Sequence, residues 1–410
     1  MKPKKVFFGL SGGLGPVSRT IPIAQELERM IHCEVAFSVY GTESEKVIQN
    51  CGYSLLPDEG EAYPSEEFIF PSSTMFYNLD HYYSQLGFLD FEFTRSWVYD
   101  RVEMLKRYKP DIVFADMSPQ TLIAAKYLKI PCVSITQSCF YPEGEPVYSW
   151  GAPPRNLAKT TPIFNKILHD LSLPLINKVE ELNKGDLTIL PSFPELDPVT
   201  STDVHYVGPI MLNIPPPSSE VPFPLDQPYI LVYPGRLYDS AGASGEKVVK
   251  AVSKAFQNTP YNIVIATREE LGEELSTIVN ANHNFYQIAS FTQEMLSQCE
   301  LFIHHGGHSS CLSAVMNGVP SLILPTHVER EFNARKMQKL NVADYMLPEY
   351  AFPPHLYQLA MFMIGDYYAS DTIAFQEQIR QRQYGGAKEV CQLVKQKILG
   401  GKKNDLWYRH

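Results

Sequence analysis

Short apolar runs alternate with longer amphipathic stretches along almost the whole chain, and the two periods differ. The runs Val6 to Leu10, Glu34 to Ser38, Ile112 to Ala115 and Cys132 to Thr136 are continuously apolar or nearly so, the pattern of strands buried on both faces. Tyr229 to Tyr233, Asn262 to Ala266, Leu301 to Ile303 and Ser321 to Leu324 repeat it in the second half. The stretches between them place apolar residues at helical spacing, so the chain predicts a repeated strand-helix order and a parallel sheet in each half, helices on both faces. Between the halves, Val207-Gly208-Pro209 runs into Asn213-Ile214-Pro215-Pro216-Pro217 and on through Pro222, Pro224 and Pro228. So many prolines make a semi-stiff connector. The expected organisation is a first domain over 1–212, a connector over 213–228, a second domain over 229–386 and a terminal helix over 387–410 that returns to the first domain.

Two glycine turns interrupt this pattern where a strand hands over to a helix. The first is Ser11-Gly12-Gly13-Leu14-Gly15, followed by a helix expected from Ser18 to Met30 with Pro22 in its first turn. The second is His305-Gly306-Gly307-His308, followed by Ser309 and Ser310 as N-cap candidates and a helix that stops at Gly318 before Val319-Pro320. The first N–H groups of a helix lack internal partners and lie at the positive end of its dipole. A turn of this kind is therefore a site for a phosphate or another anion. A dinucleotide fingerprint is the competing reading of the first turn, but Gly13-x-Gly15-x-x-Ser18 lacks its third glycine. The strand around Val35 to Ser38 also ends in Tyr40-Gly41 without the acidic ribose ligand.

The segment Leu301 to Met337 resembles the donor-site signature of GT-B glycosyltransferases of the UDP-glycosyltransferase and macrolide glycosyltransferase type. His305, Gly307 and Ser310 fall on its turn, Gly318-Val319-Pro320 on its second element, Pro325 on the strand end and Asn333-Ala334 on the last element. The resemblance implies two Rossmann-like doubly wound parallel-sheet domains facing across a cleft, with the acceptor on the first domain and the nucleotide-sugar on the second. It implies that His305, Gly306, Gly307, His308, Ser309 and Ser310 receive the diphosphate and that Glu329 stands where an acid binds sugar hydroxyls. Gly235 and Arg236, after the strand ending at Tyr233, fall beside the diphosphate, and Phe291 and Gln293 beside the base. Two positions depart from the family: Ser313 replaces the ribose-binding glutamate, and Arg330 replaces a glutamine. Arg330 offers a rigid donor fork near the sugar, better suited to a carboxylate or phosphate than to a plain hexose.

The first turn also resembles the acceptor-side opening of the same enzymes, with Gly15, Val17, Ser18 and Arg19 in register, Gly13 in the same loop, and Pro16 where the family carries its catalytic histidine. Proline has no titratable group, so the usual proton removal is absent. Three accounts stand. Asp116, at the end of its strand, serves as the base, or alternatively caps the helix near Gln120. The acceptor is acidic enough to need no strong base, with Ser18 and Arg19 seating an anion. Or the protein is a catalytically silent relative that acts as an accessory or ligand-binding partner.

Composition narrows the picture further. The chain has 410 residues, 44% of them hydrophobic, enough for two cores. A net charge of -10 argues against broad nucleic-acid binding. Seven scattered cysteines read as reduced thiols of a cytoplasmic protein. His304, His305, His308 and His327 lack the Cys or carboxylate companions of a zinc site, so no metal is expected. No cofactor is expected beyond the nucleotide-sugar as co-substrate, UDP- or dTDP-linked. The other expected partners are a small hydrophobic or amphipathic acceptor, no nucleic acid and no integral membrane segment, in a monomer or homodimer. Aromatic residues crowd 63–105, among them Tyr63, Phe70, Tyr77, Tyr83, Phe88, Phe93 and Trp97. They suit either an acceptor pocket or ordinary core contacts.

Overall fold

A computed structural model describes residues 2–58, 63–69, 75–212, 223, 227–238 and 242–399. Of the expected connector, 213–222 and 224–226 lie outside these, as do Phe70 and residues 400–410. The chain forms two compact units, the first from Met1–Pro71, Tyr77–Leu212 and Tyr384–His410, the second from Ser72–Phe76 and Asn213–Gln383.

The first unit holds a seven-stranded parallel sheet: β1 (Lys4–Leu10), β2 (Cys33–Ser38), β3 (Ser54–Leu55), β4 (Ile112–Asp116), β5 (Cys132–Ile135), β6 (Leu187–Leu190) and β7 (Val204–Tyr206), in the order β3-β2-β1-β4-β5-β6-β7. Its helices include α1 (Leu14–Met30), α2 (Phe91–Tyr108), α3 (Pro119–Leu128) and α4 (Thr161–Asp170). Alternation along β1 explains the layering. Val6, Phe8 and Leu10 join α1 residues Val17, Ile21 and Leu27 in one core, where Phe8 stacks between Phe37 and Phe114 at 4.8 and 4.5 Å. Phe7 points to the other face and packs with Val102 and Leu105 of α2 and Leu122 of α3.

The second unit holds a six-stranded parallel sheet: β8 (Tyr229–Tyr233), β9 (Asn262–Ala266), β10 (Phe285–Ile288), β11 (Leu301–His304), β12 (Ser321–Ile323) and β13 (Ala343–Tyr345), in the order β10-β9-β8-β11-β12-β13. α5 (His308–Asn317) follows β11 and α6 (Val328–Lys339) follows β12. The last helix described in the first unit is α7 (Gly386–Val394), whose Val390, Cys391 and Val394 enter the core beside α1. Two doubly wound sheets with the same strand order bear out the fold read from the repeated alternation. In each, the order reverses beside the first strand, between β1 and β4 and between β8 and β11, and ligands of such sheets bind outside the strand ends at that reversal.

Two local readings need correction. α1 begins at Leu14, not Ser18, because Gly13 takes the cap position at φ 102°, open to glycine. Pro16 therefore occupies the first turn, where no N–H is needed, and Pro22 lies in the helix interior instead. The helix after β4 is preceded by Ser118, with Pro119 as its first residue, so Asp116 does not cap it.

Candidate functional site

The second unit's reversal point is built on one imidazole. His305 follows β11, is 9% exposed, and its Nδ1 lies 3.4 Å from the Tyr233 carbonyl at the end of β8. The ring is packed between two glycines: a Cβ on Gly235 would stand 3.0 Å from Nδ1, and one on Gly307 would stand 2.6 Å from Nε2. Gly235 also holds φ 77°, so glycine is required there twice over. Burial, then the Arg330 and His304 charges, hold the His305 imidazole well below its ordinary range, so it is neutral at pH 7.

The helix beside it is an uncapped one. Gly307, in extended backbone, is the N-cap of α5, and no side chain closes the first turn. Ser309 and Ser310 thus lie inside the helix, where the Ser310 N–H already donates to the Gly307 carbonyl at 2.9 Å. The Gly306 N–H, expected to face an anion, donates instead to His304 Nδ1 at 3.1 Å, because φ 88° turns it inward. What remains for an anion is the first turn of α5, opened by His308, and the His305 edge.

Three arginines surround this turn. Arg236 follows β8 and Arg268 follows β9, the neighbouring strand, and both are exposed. Glu269 ties their loops together by accepting from the Leu237 N–H at 3.1 Å and the Tyr238 N–H at 3.4 Å. Arg330, in the first turn of α6, packs over Gly306, whose added Cβ would meet the Arg330 carbonyl at 2.8 Å, and its Nη1 donates to Thr326 Oγ1. Burial raises the Tyr233 hydroxyl, and Arg268, Arg330 and Arg236 all oppose that rise, which brings all three charges to the same ring. Glu329 accepts from Asn333 Nδ2 at 2.8 Å, and the same amide holds the Gly306 carbonyl at 3.0 Å. Phe291 lies edge-on to Tyr233 at 5.4 Å, and Gln293 accepts from Asn317 at 2.6 Å. Ser313, one helical turn before Asn317, is buried. Arg268 and Asn317 were not singled out from the sequence; their place after a strand and on the helix that follows the glycine turn is the signal that marks them.

The first unit's turn is chemically different. Asp116, fully buried at the end of β4, accepts from Arg19 Nε at 2.5 Å and from Nη2 at 2.6 Å. Arg19 is itself 5% exposed, so its expected role as an anion seat gives way to this internal pair. The Ser18 hydroxyl donates to the Gly15 carbonyl at 2.9 Å within α1, and Gly13 and Gly15 form the turn itself. Near the same sheet edge, Tyr40 accepts from Trp97 Nε1 at 2.8 Å and Gln120 Nε2 at 3.2 Å. Arg101, 1% exposed, donates to Thr121 Oγ1 and Ser38 Oγ at 2.9 Å each and to Asp58 at 3.1 Å. Burial pushes the Tyr40 phenol up to about 12, so it stays protonated near neutrality.

A cavity of about 980 Å³ lies in the first unit, lined by Tyr77, Tyr141, Val147 and Asn165 among others, with the carboxylates of Asp80 and Glu180 and the amines of Lys166 and Lys178 at its wall. Asp80 is committed to the Thr160 and Thr161 hydroxyls and N–H groups. Of the aromatic residues named over 63–105, Tyr77 reaches this cavity. Phe88 instead gathers Tyr83, Phe93, Trp97 and Phe164 within 4.5 to 6.1 Å, as core. Among the described residues there is no group of His, Cys, Asp and Glu arranged to hold a metal, and no helix long and apolar enough to cross a membrane.

The two doubly wound parallel sheets are those of the GT-B fold. Residues 254–368 match the C-terminal domain family described as erythromycin biosynthesis protein CIII-like. The NDP-glycosyltransferase YjiC of Bacillus licheniformis is 23% identical over 290 residues, 69% of this chain and 71% of that protein. The structure of CalG4, the calicheamicin glycosyltransferase, aligns with a TM-score of 0.73 at 19% identity over 98% of this chain and 100% of that one. That of the glycosyltransferase VinC in complex with dTDP aligns at 0.69 and 15% identity over 97% and 100%. The fold is that of GT-B glycosyltransferases, and the sequence is similar to glycosyltransferases of the macrolide and natural-product type.

Proposed function

We propose that this protein transfers a sugar from a nucleoside diphosphate, UDP- or dTDP-linked, to a hydroxyl of a small hydrophobic or amphipathic acceptor, with inversion at the sugar carbon. The observation that carries this reading is the uncapped first turn of α5 beside the neutral, glycine-packed His305. Such a terminus is complementary to a diphosphate. The structure of VinC, which shares this fold, is a complex with dTDP, and this supports a nucleotide as ligand. The second unit holds the donor, and the first-unit cavity, whose wall mixes apolar side chains such as Tyr77, Tyr141 and Val147 with several charged ones, receives an amphipathic acceptor.

In the reaction the bond between the sugar C1 and the diphosphate oxygen breaks, the bond from C1 to the acceptor oxygen forms, and the acceptor's proton leaves. The α5 terminus and His305 stabilise the charge that collects on the departing diphosphate, with Arg236 assisting; removal of one such donor typically lowers a rate by roughly 100- to 1,000-fold. Asp116 is not the base: its oxygens are committed to Arg19 and it has no exposure. The acceptor is accordingly one with an acidic hydroxyl, such as a phenol, whose proton passes to solvent. The same closed pair, with Pro16 beside it, also favours the second reading, a silent relative that binds the donor without transfer.

Calorimetric titration with UDP, dTDP and GDP, on the wild type and His305→Ala, tests the donor site. Saturable binding of one nucleotide, weakened at least tenfold in the variant, supports it, and no binding by any of them overturns it. Incubation with the matching nucleotide-sugar and a phenol panel then separates the readings: product supports transfer, and tight donor binding without turnover supports the silent relative.

A further inference from the structure

We infer that the acceptor carries a protonated amine and that Glu180 is the residue that selects it; this rests on the acceptor cavity proposed above. The charges at the wall of that cavity are unevenly solvated. Lys159, Lys166 and Lys178 are exposed, as are Glu145 and Asp170, whereas Asp80 and Glu180 are half-buried. An exposed charge is screened by water and adds little to recognition, while a half-buried one acts through a lower dielectric. The carboxylates inside the wall therefore weigh more than the amines at its rim.

Those two carboxylates differ in what holds them. Asp80 accepts from the N–H and hydroxyl groups of both Thr160 and Thr161 at 2.5 to 2.9 Å, so its acceptor capacity is used. Glu180 accepts at Oε1 from the Leu79 N–H at 3.3 Å, a long bond, and has its own N–H besides. Among the described residues, no lysine, arginine or histidine forms an ion pair with it. Lys178 donates its amine to the Pro142 carbonyl, and Lys166 lies over the Phe91 ring at 5.6 Å. The Tyr83 hydroxyl, buried and close enough to feel the Glu180 charge, has no hydrogen-bond partner and does not fill the gap. Burial pushes the Glu180 carboxyl above its ordinary value, against the pull of the two N–H groups; the Asp80 charge adds to the rise and Lys178 opposes it. An ammonium group supplies both the missing donors and the opposite charge, which a neutral hydroxyl or a carboxylate does not. Tyr141 of the same wall already holds an ammonium, that of Lys184, over its ring at 5.5 Å, and Tyr77 brings a second ring to the cavity.

The test titrates the full-length protein, into the millimolar range, with three phenols that differ in one terminal group: tyramine, protonated at pH 7, neutral para-propylphenol and anionic para-hydroxyphenylpropionate. The wild type is expected to bind tyramine about tenfold more tightly than para-propylphenol, and the anion no better than the neutral phenol. Glu180→Gln is expected to bring the tyramine ratio to within about twofold of one, and Glu180→Asp, which keeps the charge, to retain a preference. Because the ratio is read within each protein, any general loss of affinity cancels. Lys166→Gln is expected to keep the ratio. A readout that needs no variant is carbodiimide coupling on the wild type, expected to attach tyramine to Glu180 as seen by peptide mass spectrometry; labelling of exposed carboxylates without Glu180 overturns the inference. Equal binding of the three phenols by the wild type, tighter binding of the anion, or a tyramine preference untouched by Glu180→Gln overturns it as well, while leaving the acceptor cavity standing. Failure of all three to bind overturns the acceptor cavity and the inference with it, and the donor site is read separately by the nucleotide titration.

Discussion

Arg19 holds both oxygens of Asp116, Nε at 2.5 Å from Oδ2 and Nη2 at 2.6 Å from Oδ1, in a place where neither side chain is more than 7% exposed. A buried carboxylate held this way is stabilised as long as its partner stays. Removing one member strands the other charge. Arg19→Met is expected to lower unfolding free energy by about 3 to 5 kcal/mol, and the double variant Arg19→Met/Asp116→Leu to recover most of that loss. Urea unfolding of the two variants and the wild type measures it; a double variant as unstable as the single one would mean the loss comes from packing alone.

Donor binding should draw a proton. In the free protein His305 is neutral, and with Nδ1 donating to the Tyr233 carbonyl its Nε2 carries a lone pair. A diphosphate oxygen meeting Nε2 needs a proton there, and its negative charge raises the imidazole toward its ordinary range. The bound state then holds more protons than the free one, so affinity rises as pH falls from 8 toward about 6. A sugar-linked diphosphate has no group of its own titrating in this window, which makes it the ligand of choice. Calorimetry in buffers of differing ionisation heat is expected to report uptake of up to about one proton, absent in His305→Ala; equal heats in all buffers for the wild type would sink the idea.

His304 makes a different pH prediction. Fully buried, stacked on Phe302 at 4.6 Å and accepting the Gly306 N–H, it is pushed down from 6.5 to about 3 by burial. The folded-state value is depressed, so the unfolded chain takes up protons first as pH falls below 6.5. Stability present above that value is lost progressively down to about 3, on the order of 2 kcal/mol by pH 5. His304→Asn keeps an acceptor for Gly306 without a titrating ring and is expected to flatten this part of the stability profile. Guanidinium unfolding at pH 7 and pH 5 is the check, and an unchanged difference between the two pH values would remove His304 as its source.

The legible features were those written in periodicity. Eight strands read from apolar runs recur in the sheets with ends shifted by a residue or two, and Gly318 stops α5 at φ 69° as its sequence implies. Short or half-polar strands were not seen: Ser54–Leu55 pairs along two residues, and Phe285–Ile288 mixes Tyr and Gln into its run, so neither rises above its surroundings. The turn after β11 was legible because strand, glycines and helix are contiguous. Its hydrogen bonding was not, since the direction of the Gly306 N–H depends on a backbone angle that any glycine permits. Contacts over long separations were hidden altogether. Nothing local in Arg19 or Asp116 announces a pair 97 residues apart, and Arg101 looks like a surface cation until Thr121, Ser38 and Asp58 close around it.

Ser313 offers the sharpest test of how the nucleoside lies. It occupies the place of the ribose-binding glutamate in the family that this segment resembles, one turn before Asn317, whose amide donates to the Ser313 carbonyl at 2.8 Å and to Gln293 at 2.6 Å. Beside this short hydroxyl, the long polar side chains of Gln293 and Asn317 are bonded to each other. A glutamate at 313 extends from the same helix face and brings a charged acceptor, whose hydrogen bonds to neutral hydroxyls contribute about 1.5 to 3 kcal/mol. Ser313→Glu is therefore expected to tighten UDP binding by roughly tenfold, with a clearly smaller gain for 2′-deoxy-UDP, because one of the two hydroxyls is missing. Calorimetry with both nucleotides reads it. Equal changes for the two would mean that the ribose does not reach α5 and that the base and sugar enter this site in another orientation.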